Sequence, residues 1–302
     1  LVKRLAPVGY WRLDDSGGTA ADSSGHGNIG TLHGTVTENV VGALINDTDT
    51  AMSFDGSTGY IEVGTPASIA ALFQNHDFSV EYWVKPVSDS NFVFSCGVLN
   101  QDFPDQFFHA GFSGAQVKLG FFGDDLVSNS SITTGVYSHV VLTWVASTKV
   151  QTIYINGVHD SSRVSSGSLN VPAGSDTQIA RANFGSHGGG PYFYQGAVDE
   201  LAVYSAAMTG PQVFQHYLLG AVIGPQRYIL TSGSDGAPDQ ALQQYVAGIN
   251  SLCPDLRSNP TAGVSAFYID DPSQAAVATA LKNAGAKGRW INGILGGGTG
   301  DI

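Results

Sequence analysis

The residues of this 302-residue chain with the most chemistry to offer are its acids. There are 25 Asp and Glu against 13 Lys and Arg, a formal charge of -12. Two carboxylates facing each other can cleave a glycosidic bond, at about 6.5–9.5 Å apart for inversion and about 5–5.5 Å for retention. Glu62, Glu81 and Glu200 are scattered instead, and Asp124-Asp125 follows a strand-like run in a loop, so no catalytic pair is assigned. Asp270-Asp271 follows an apolar run at 264–269 and precedes Pro272. Acids at that place in a parallel α/β fold can face a ligand, and Asp271 can equally cap the next helix. The eight histidines fall at isolated positions without a ligand spacing. Cys96 and Cys253 carry no metal or redox pattern, and the glycines at 296–300 lack the Lys of a phosphate loop.

Aromatic rings beside small polar groups form the other candidate chemistry. Residues 100–108 carry Phe103, Phe107 and Phe108 with Asp102, Asp105 and Gln106. Residues 187–194 end in Pro191-Tyr192-Phe193-Tyr194 after three glycines. A sugar ring has an apolar face and a polar rim, which such loops suit. Phe103, Phe107, Tyr192 and Tyr194 are therefore the candidate ligand-binding residues. The same rings can anchor a protein interface, including one with a second copy of the chain, or can pack into a core. No basic patch offers a hold for nucleic acid, and no apolar run is long enough to insert through a bilayer. Charged residues make up only 13%, a composition common among secreted, cell-surface and virion proteins.

The elements that must position these groups divide the chain in two. Residues 1–222 read as all-β. Phe78, Val80, Tyr82 and Val84 alternate onto one face, residues 138–144 and 151–155 form hairpin arms, and Asn156-Gly157 supplies the next turn. Turns every 8–15 residues predict a two-sheet antiparallel jelly-roll sandwich. A short helix with Pro211 in its first turn and Gly220 after it should close that domain. Residues 223–302 change to a βαβαβ order, with strands near 227–230, 264–269 and 288–295 and helices at 239–252 and 272–284. This is the pattern of a smaller, incomplete α/β region, the start of a larger truncated domain. The chain begins at Leu1, so a missing signal peptide says nothing about export.

Several segments occur in a telling order: Tyr10-Trp11-Arg12-Leu13, Asp22-Ser23-Ser24-Gly25, Phe54-Asp55-Gly56, the strand at 78–84, Trp144 ahead of Tyr154-Ile155-Asn156-Gly157, and Val198-Asp199-Glu200-Leu201-Ala202-Val203-Tyr204. Together they resemble the laminin-G-like, concanavalin A-like lectin/glucanase jelly rolls. The resemblance implies a structural calcium ion near the joined ends of the sandwich. Asp22 and Asp199 would be carboxylate ligands, Asn28 an amide ligand, and the loops near Gly30 and Gly59 would give backbone carbonyls. The alternative is that Asp22 opens an Asx turn and Asp199 caps a turn or faces solvent. The resemblance also implies an extracellular or virion setting and contact with surface glycans or other protein subunits. The expected role is a non-catalytic virion structural or adhesion protein of a phage tail or fibre. The alternative is a secreted carbohydrate-binding module attached to a glycoside-processing enzyme.

Overall fold

A computed structural model describes residues 2–45, 47–87, 91–101, 103–185 and 190–223, with short strands at 228–229, 267–268, 289–291 and 299–301. Contacts divide the chain into two compact units, one of residues 2–43 and 48–209, the other of residues 1, 44–47 and 210–302.

The first unit is the sandwich. It opens with β1 (Gly9–Trp11), β2 (Thr19–Ala20), β3 (Gly30–His33), β4 (Val36–Val41), β5 (Thr50–Asp55) and β6 (Tyr60–Gly64). A six-residue helix α1 (Ala67–Leu72) leads to β7 (Phe78–Pro86), β8 (Phe92–Gly97), β9 (Phe107–Ser113), β10 (Gln116–Gly120) and β11 (Leu126–Ser131). The rest is β12 (Ser138–Val145), β13 (Val150–Ile155), β14 (Val158–Val164), β15 (Asp176–Ile179), β16 (Arg181–Ala182), β17 (Tyr192–Phe193) and β18 (Gln195–Tyr204). One sheet runs β14-β13-β12-β7-β18-β5-β4, with β1 also paired to β18; the other runs β11-β10-β9-β8-β15-β6-β3-β2. Every pairing within these two sheets is antiparallel. This is the predicted sandwich, and its first strand lies beside its last.

Side-chain alternation explains the two layers. Phe78, Val80, Tyr82 and Val84 are all fully buried, as are Val140, Leu142 and Trp144 on the neighbouring strand. Facing them are Phe94, Phe108, Val117 and Leu119 of the second sheet. Aromatic rings fill the middle: Phe73 stacks on Phe108 at 4.5 Å and meets Phe78 edge-on at 4.8 Å. Cys96 is a free thiol in this core, and burial pushes its pKa up to about 12.

The second unit begins with α2 (Gly210–Tyr217), continued by a wider π-type turn at Leu218–Ile223. Strands β19 (Tyr228–Ile229), β20 (Phe267–Tyr268) and β21 (Arg289–Ile291) are parallel, and β22 (Thr299–Asp301) returns antiparallel to β21. The helices predicted at 239–252 and 272–284 lie outside the described residues, as do Asp102, His187, Cys253, Asp270 and Asp271. Among the described residues, no helix is long and apolar enough to cross a membrane.

Candidate functional site

The strongest cluster of chemistry-bearing side chains sits where β18 changes neighbour. Along one edge β18 pairs with β5 through Val198 and then with β1 from Leu201 onward. Between those stretches lies a bulge. On the other edge Asp199 is opposite Trp83, and the next paired residue is Ala202 opposite Glu81. Glu200 takes a left-handed backbone, φ 51°, within this irregularity. Val198 and Leu201 both enter the core, so two residues lie between inward positions where a regular strand has one. The extra residue lets Asp199 and Glu200 both keep their carboxylates out of the apolar core.

Asp49, one residue before β5, completes the group. One carboxylate oxygen from each of Asp49, Asp199 and Glu200 lies within 4.8 Å of the others. Arg12, one residue after β1, reaches across the seam. Its Nη1 is 3.0 Å from Asp14 Oδ2, its Nε is 3.3 Å from Glu200 Oε1, and its Nη2 contacts Asp49. Tyr10 donates its hydroxyl to Glu200 Oε2. Asp199 Oδ2 accepts the Ala43 N–H at 2.7 Å. Gly42 permits that approach, because a Cβ there would lie 2.6 Å from the Asp49 carbonyl and 3.1 Å from Asp199 Oδ2.

Three acids so close repel one another when charged, and Arg12 is the counter-charge that partly offsets this. Burial, then hydrogen bonds with Glu200 and Asp14, push the Asp49 carboxyl up to about 8. Burial and the Asp49 charge push Asp199 up to about 7. Burial also raises Glu200, opposed by hydrogen bonds from Asp49 and Tyr10. A buried Asp199 Oδ1 has no hydrogen-bond partner. This all-oxygen set with an orphaned carboxylate oxygen fits a hard divalent cation, which would favour the ionised carboxylates.

The four sequence-predicted metal residues do not converge there. Only Asp199 belongs to the cluster. Asp22 Oδ1 accepts the N–H groups of Tyr10 at 3.0 Å and Ser24 at 2.8 Å, and Oδ2 accepts that of Asn28 at 2.8 Å. Its oxygens are spent on a turn, and its pKa is lowered by those bonds, against a desolvation effect that raises it. Asn28 donates Nδ2 to the Val8 carbonyl at 2.8 Å, and its own carbonyl accepts Trp11 Nε1. Gly59 donates to Asp55 Oδ1 inside the β5–β6 turn. Asp22, Asn28 and Gly59 each serve a local turn or the strand entry, outside the Asp49, Asp199 and Glu200 group.

The four predicted ligand-binding aromatics divide evenly. Phe103 is 55% exposed and Tyr192 half-buried, so both present surface. Phe107 is buried flat over Gly97, where a Cβ would meet its ring at 2.2 Å, with Phe184 at 5.2 Å. Tyr194 is fully buried, stacked on Phe112, and donates its hydroxyl to the Ala197 carbonyl. Phe107 and Tyr194 therefore have no face left for a ligand. Of the scattered acids, Glu81 is held by Tyr204 at 2.5 Å and by His139 Nε2 at 2.8 Å. Asp49 and the role of Arg12 escaped sequence reasoning, because nothing local to 42–50 announces a neighbour some 150 residues away.

Residues 55–214, just over half of the chain, match the family model described as the concanavalin A-like lectin/glucanases superfamily. No curated protein matches the chain. Among solved structures, domain 4 of AbnA, a GH43 extracellular arabinanase from Geobacillus stearothermophilus, in complex with arabinotriose, is 21% identical with a TM-score of 0.53. That match covers 69% of this chain and 97% of that one. The binding domain of botulinum neurotoxin DC, in complex with rat synaptotagmin II, is 12% identical with a TM-score of 0.51. It covers 72% of this chain and 52% of that chain, so only about half of the toxin domain has a counterpart here. At these identities the likeness is one of fold, and the family model carries the assignment: the chain belongs to the concanavalin A-like lectin/glucanases superfamily.

Proposed function

We propose that the sandwich is a non-catalytic module that recognises carbohydrate, with a calcium ion held by Asp49, Asp199 and Glu200 where its first and last strands meet. The observation that carries the binding reading is the placement of the acids. The tight carboxylate group is buried in the strand seam and tied to Arg12 and Tyr10, where it can staple a frame but not straddle a sugar chain. Bound there, calcium would add to the positive charge of Arg12 and let the three carboxylates ionise together. Support for a sugar ligand comes from domain 4 of the arabinanase, which was solved with arabinotriose and has nearly its whole length matched by this sandwich. This favours the secreted carbohydrate-binding module over the phage tail or fibre, for which the fold offers no particular support.

Adhesion through a protein partner is the second reading. It draws on the toxin binding domain solved with synaptotagmin II and on Val41, 83% exposed on edge strand β4. An extracellular setting suits either reading. The test is a glycan array probed with the full chain, followed by a reducing-sugar assay on each glycan bound. Glycan binding with no release of reducing ends is expected. Binding of no glycan would overturn the carbohydrate reading, and steady release of reducing ends would overturn the non-catalytic one.

A further inference from the structure

The outward face of the second sheet carries a polar cluster separate from the strand seam. Ile61, Ile179, Phe94 and Cys96 enter the core, so Glu62, Gln178 and Ser95 stand on the outer side. The register sets Gln178 on β15 between Glu62 on β6 and Ser95 on β8. Asp176 lies two residues along the same face of β15. Arg181, next along the chain, closes one end: its guanidinium lies 4.3 Å from the Tyr60 ring centre and 5.5 Å from that of Phe193. His33 stacks on Tyr60 at 4.9 Å and approaches Glu62 at 3.8 Å.

Two polar atoms of this cluster are buried without a partner, Gln178 Oε1 and Arg181 Nε. Gln178 is only 1% exposed, and its Nε2 donates to Asp176 Oδ2 at 2.8 Å. That bond fixes the amide and leaves Oε1 as an idle acceptor. Ser95 cannot fill it, because its hydroxyl donates to the Arg181 carbonyl at 2.8 Å. A buried donor and acceptor left idle are costly, and an ordered water that also bonds a ligand at the surface would relieve that cost. The surroundings stay partly open, since Glu62, Tyr60, Arg181 and Phe193 are all half-buried.

Charge narrows what that group can be. An anionic ligand would meet Glu62 and Asp176. A cationic one would meet Arg181, already seated over two rings. A hydroxyl both donates and accepts, so two adjacent hydroxyls can give a proton to the half-buried Glu62 carboxylate and take one from the half-buried Arg181 guanidinium, with the Gln178–Asp176 pair beneath them. Phe193 beside Arg181 and Tyr60 beside Glu62 offer apolar area for the C–H face of the same ring. We propose that Glu62, Asp176, Gln178 and Arg181 form a subsite for a neutral sugar residue, reading two adjacent hydroxyls on the outer face of the second sheet. This rests on the carbohydrate reading above and gives it a location.

The full chain would be titrated calorimetrically with arabinotriose, xylotriose, cellotriose and maltotriose, and with sialyllactose as the acidic probe. Binding of at least one neutral trisaccharide is expected, with Kd raised about tenfold or more in Glu62→Gln and in Arg181→Gln. Both side chains are partly exposed, and thermal melting checks that each variant folds. If either fails to fold, the native chain is treated with phenylglyoxal, and bound trisaccharide should protect Arg181 from modification. Undiminished binding in folded variants, or an unprotected Arg181, overturns the location and leaves the carbohydrate reading standing. No binding of any neutral trisaccharide at about 10 mM overturns this subsite, and an empty glycan array besides would sink the broader reading. A preference for sialyllactose overturns the neutral class.

Discussion

Asp199 keeps one carboxylate oxygen on the Ala43 N–H and the other buried without a partner, and this sets the sign of its pH response. Its pKa near 7 and that of Asp49 near 8 both lie above the ordinary carboxylate value of 3.8. The folded state therefore holds more protons than the unfolded state between about pH 4 and pH 8. Stability from these groups is complete below about pH 4 and falls as pH rises through 7 and 8. In chelator, the chain should melt lower at pH 8.5 than at pH 5.5. Millimolar calcium should restore the loss, since it binds the ionised, folded form. At this size each kcal/mol moves Tm by about 2–4 °C, so a shift of several degrees is expected. Asp199→Asn should remove most of the calcium response. Asp22→Ala should cost about 1–3 kcal/mol by stripping three N–H groups of their acceptor, yet leave the calcium response intact. Identical melting in chelator and calcium at pH 8.5 would dispose of the cation site, and loss of the response in Asp22→Ala would return the ion to Asp22 and its neighbours.

Among the elements, the turn between β5 and β6 shows how one acid organises a connection. Asp55 Oδ1 accepts the N–H groups of Ser57, Thr58 and Gly59 at 3.0, 2.9 and 2.7 Å, and Oδ2 accepts both hydroxyls at 2.7 Å. These bonds hold its pKa well below the usual carboxylate range, against a desolvation effect that raises it. Its contribution is thus present above about pH 4 and lost as the pH falls below that. Asp55→Ala should lower Tm by several degrees at pH 7, with the gap from the native chain closing near pH 2. A gap that stays constant from pH 7 to pH 2 would mean that the turn does not depend on the charge. Such a turn can be read locally, from the run Asp55-Gly56-Ser57-Thr58, and β7 is legible because strict alternation needs no partner to be seen. The bulge at Asp199-Glu200 is not. An extra residue in a strand becomes visible only when its neighbours are known, and here those neighbours are β1 and β5, from the other end of the sandwich. The burial of Phe107 and Tyr194 is hidden from the sequence for a related reason. Glycine and proline around them suggested open loops, but Phe107 lies over Gly97 on the next strand and Tyr194 turns onto Phe112.

At the scale of the whole chain, the open question is where the sandwich ceases to be self-sufficient. A boundary near 222 follows from the change in sequence pattern, whereas contacts group residues from Gly210 onward with the C-terminal unit. We expect the stable fragment to end beyond α2. Val213, Gln215, His216 and Leu218 are buried, so a cut at 209 would remove side chains that the fold keeps from water. The Ile45 N–H also donates to the Gly220 carbonyl at 2.8 Å, and a chain ending at 209 would deprive residues 44–47 of that acceptor. Proteases cut where backbone is least tied by burial and hydrogen bonding. Brief digestion of the full chain, read by mass spectrometry, should therefore give a persistent product that starts near residue 2 and ends between about 218 and 225, as the places of burial and bonding require. A fragment made to that length should melt cooperatively and keep both its calcium response and its sugar binding. A persistent product ending at 205–210 that keeps those properties would place the boundary at the contact division and make α2 part of the C-terminal unit.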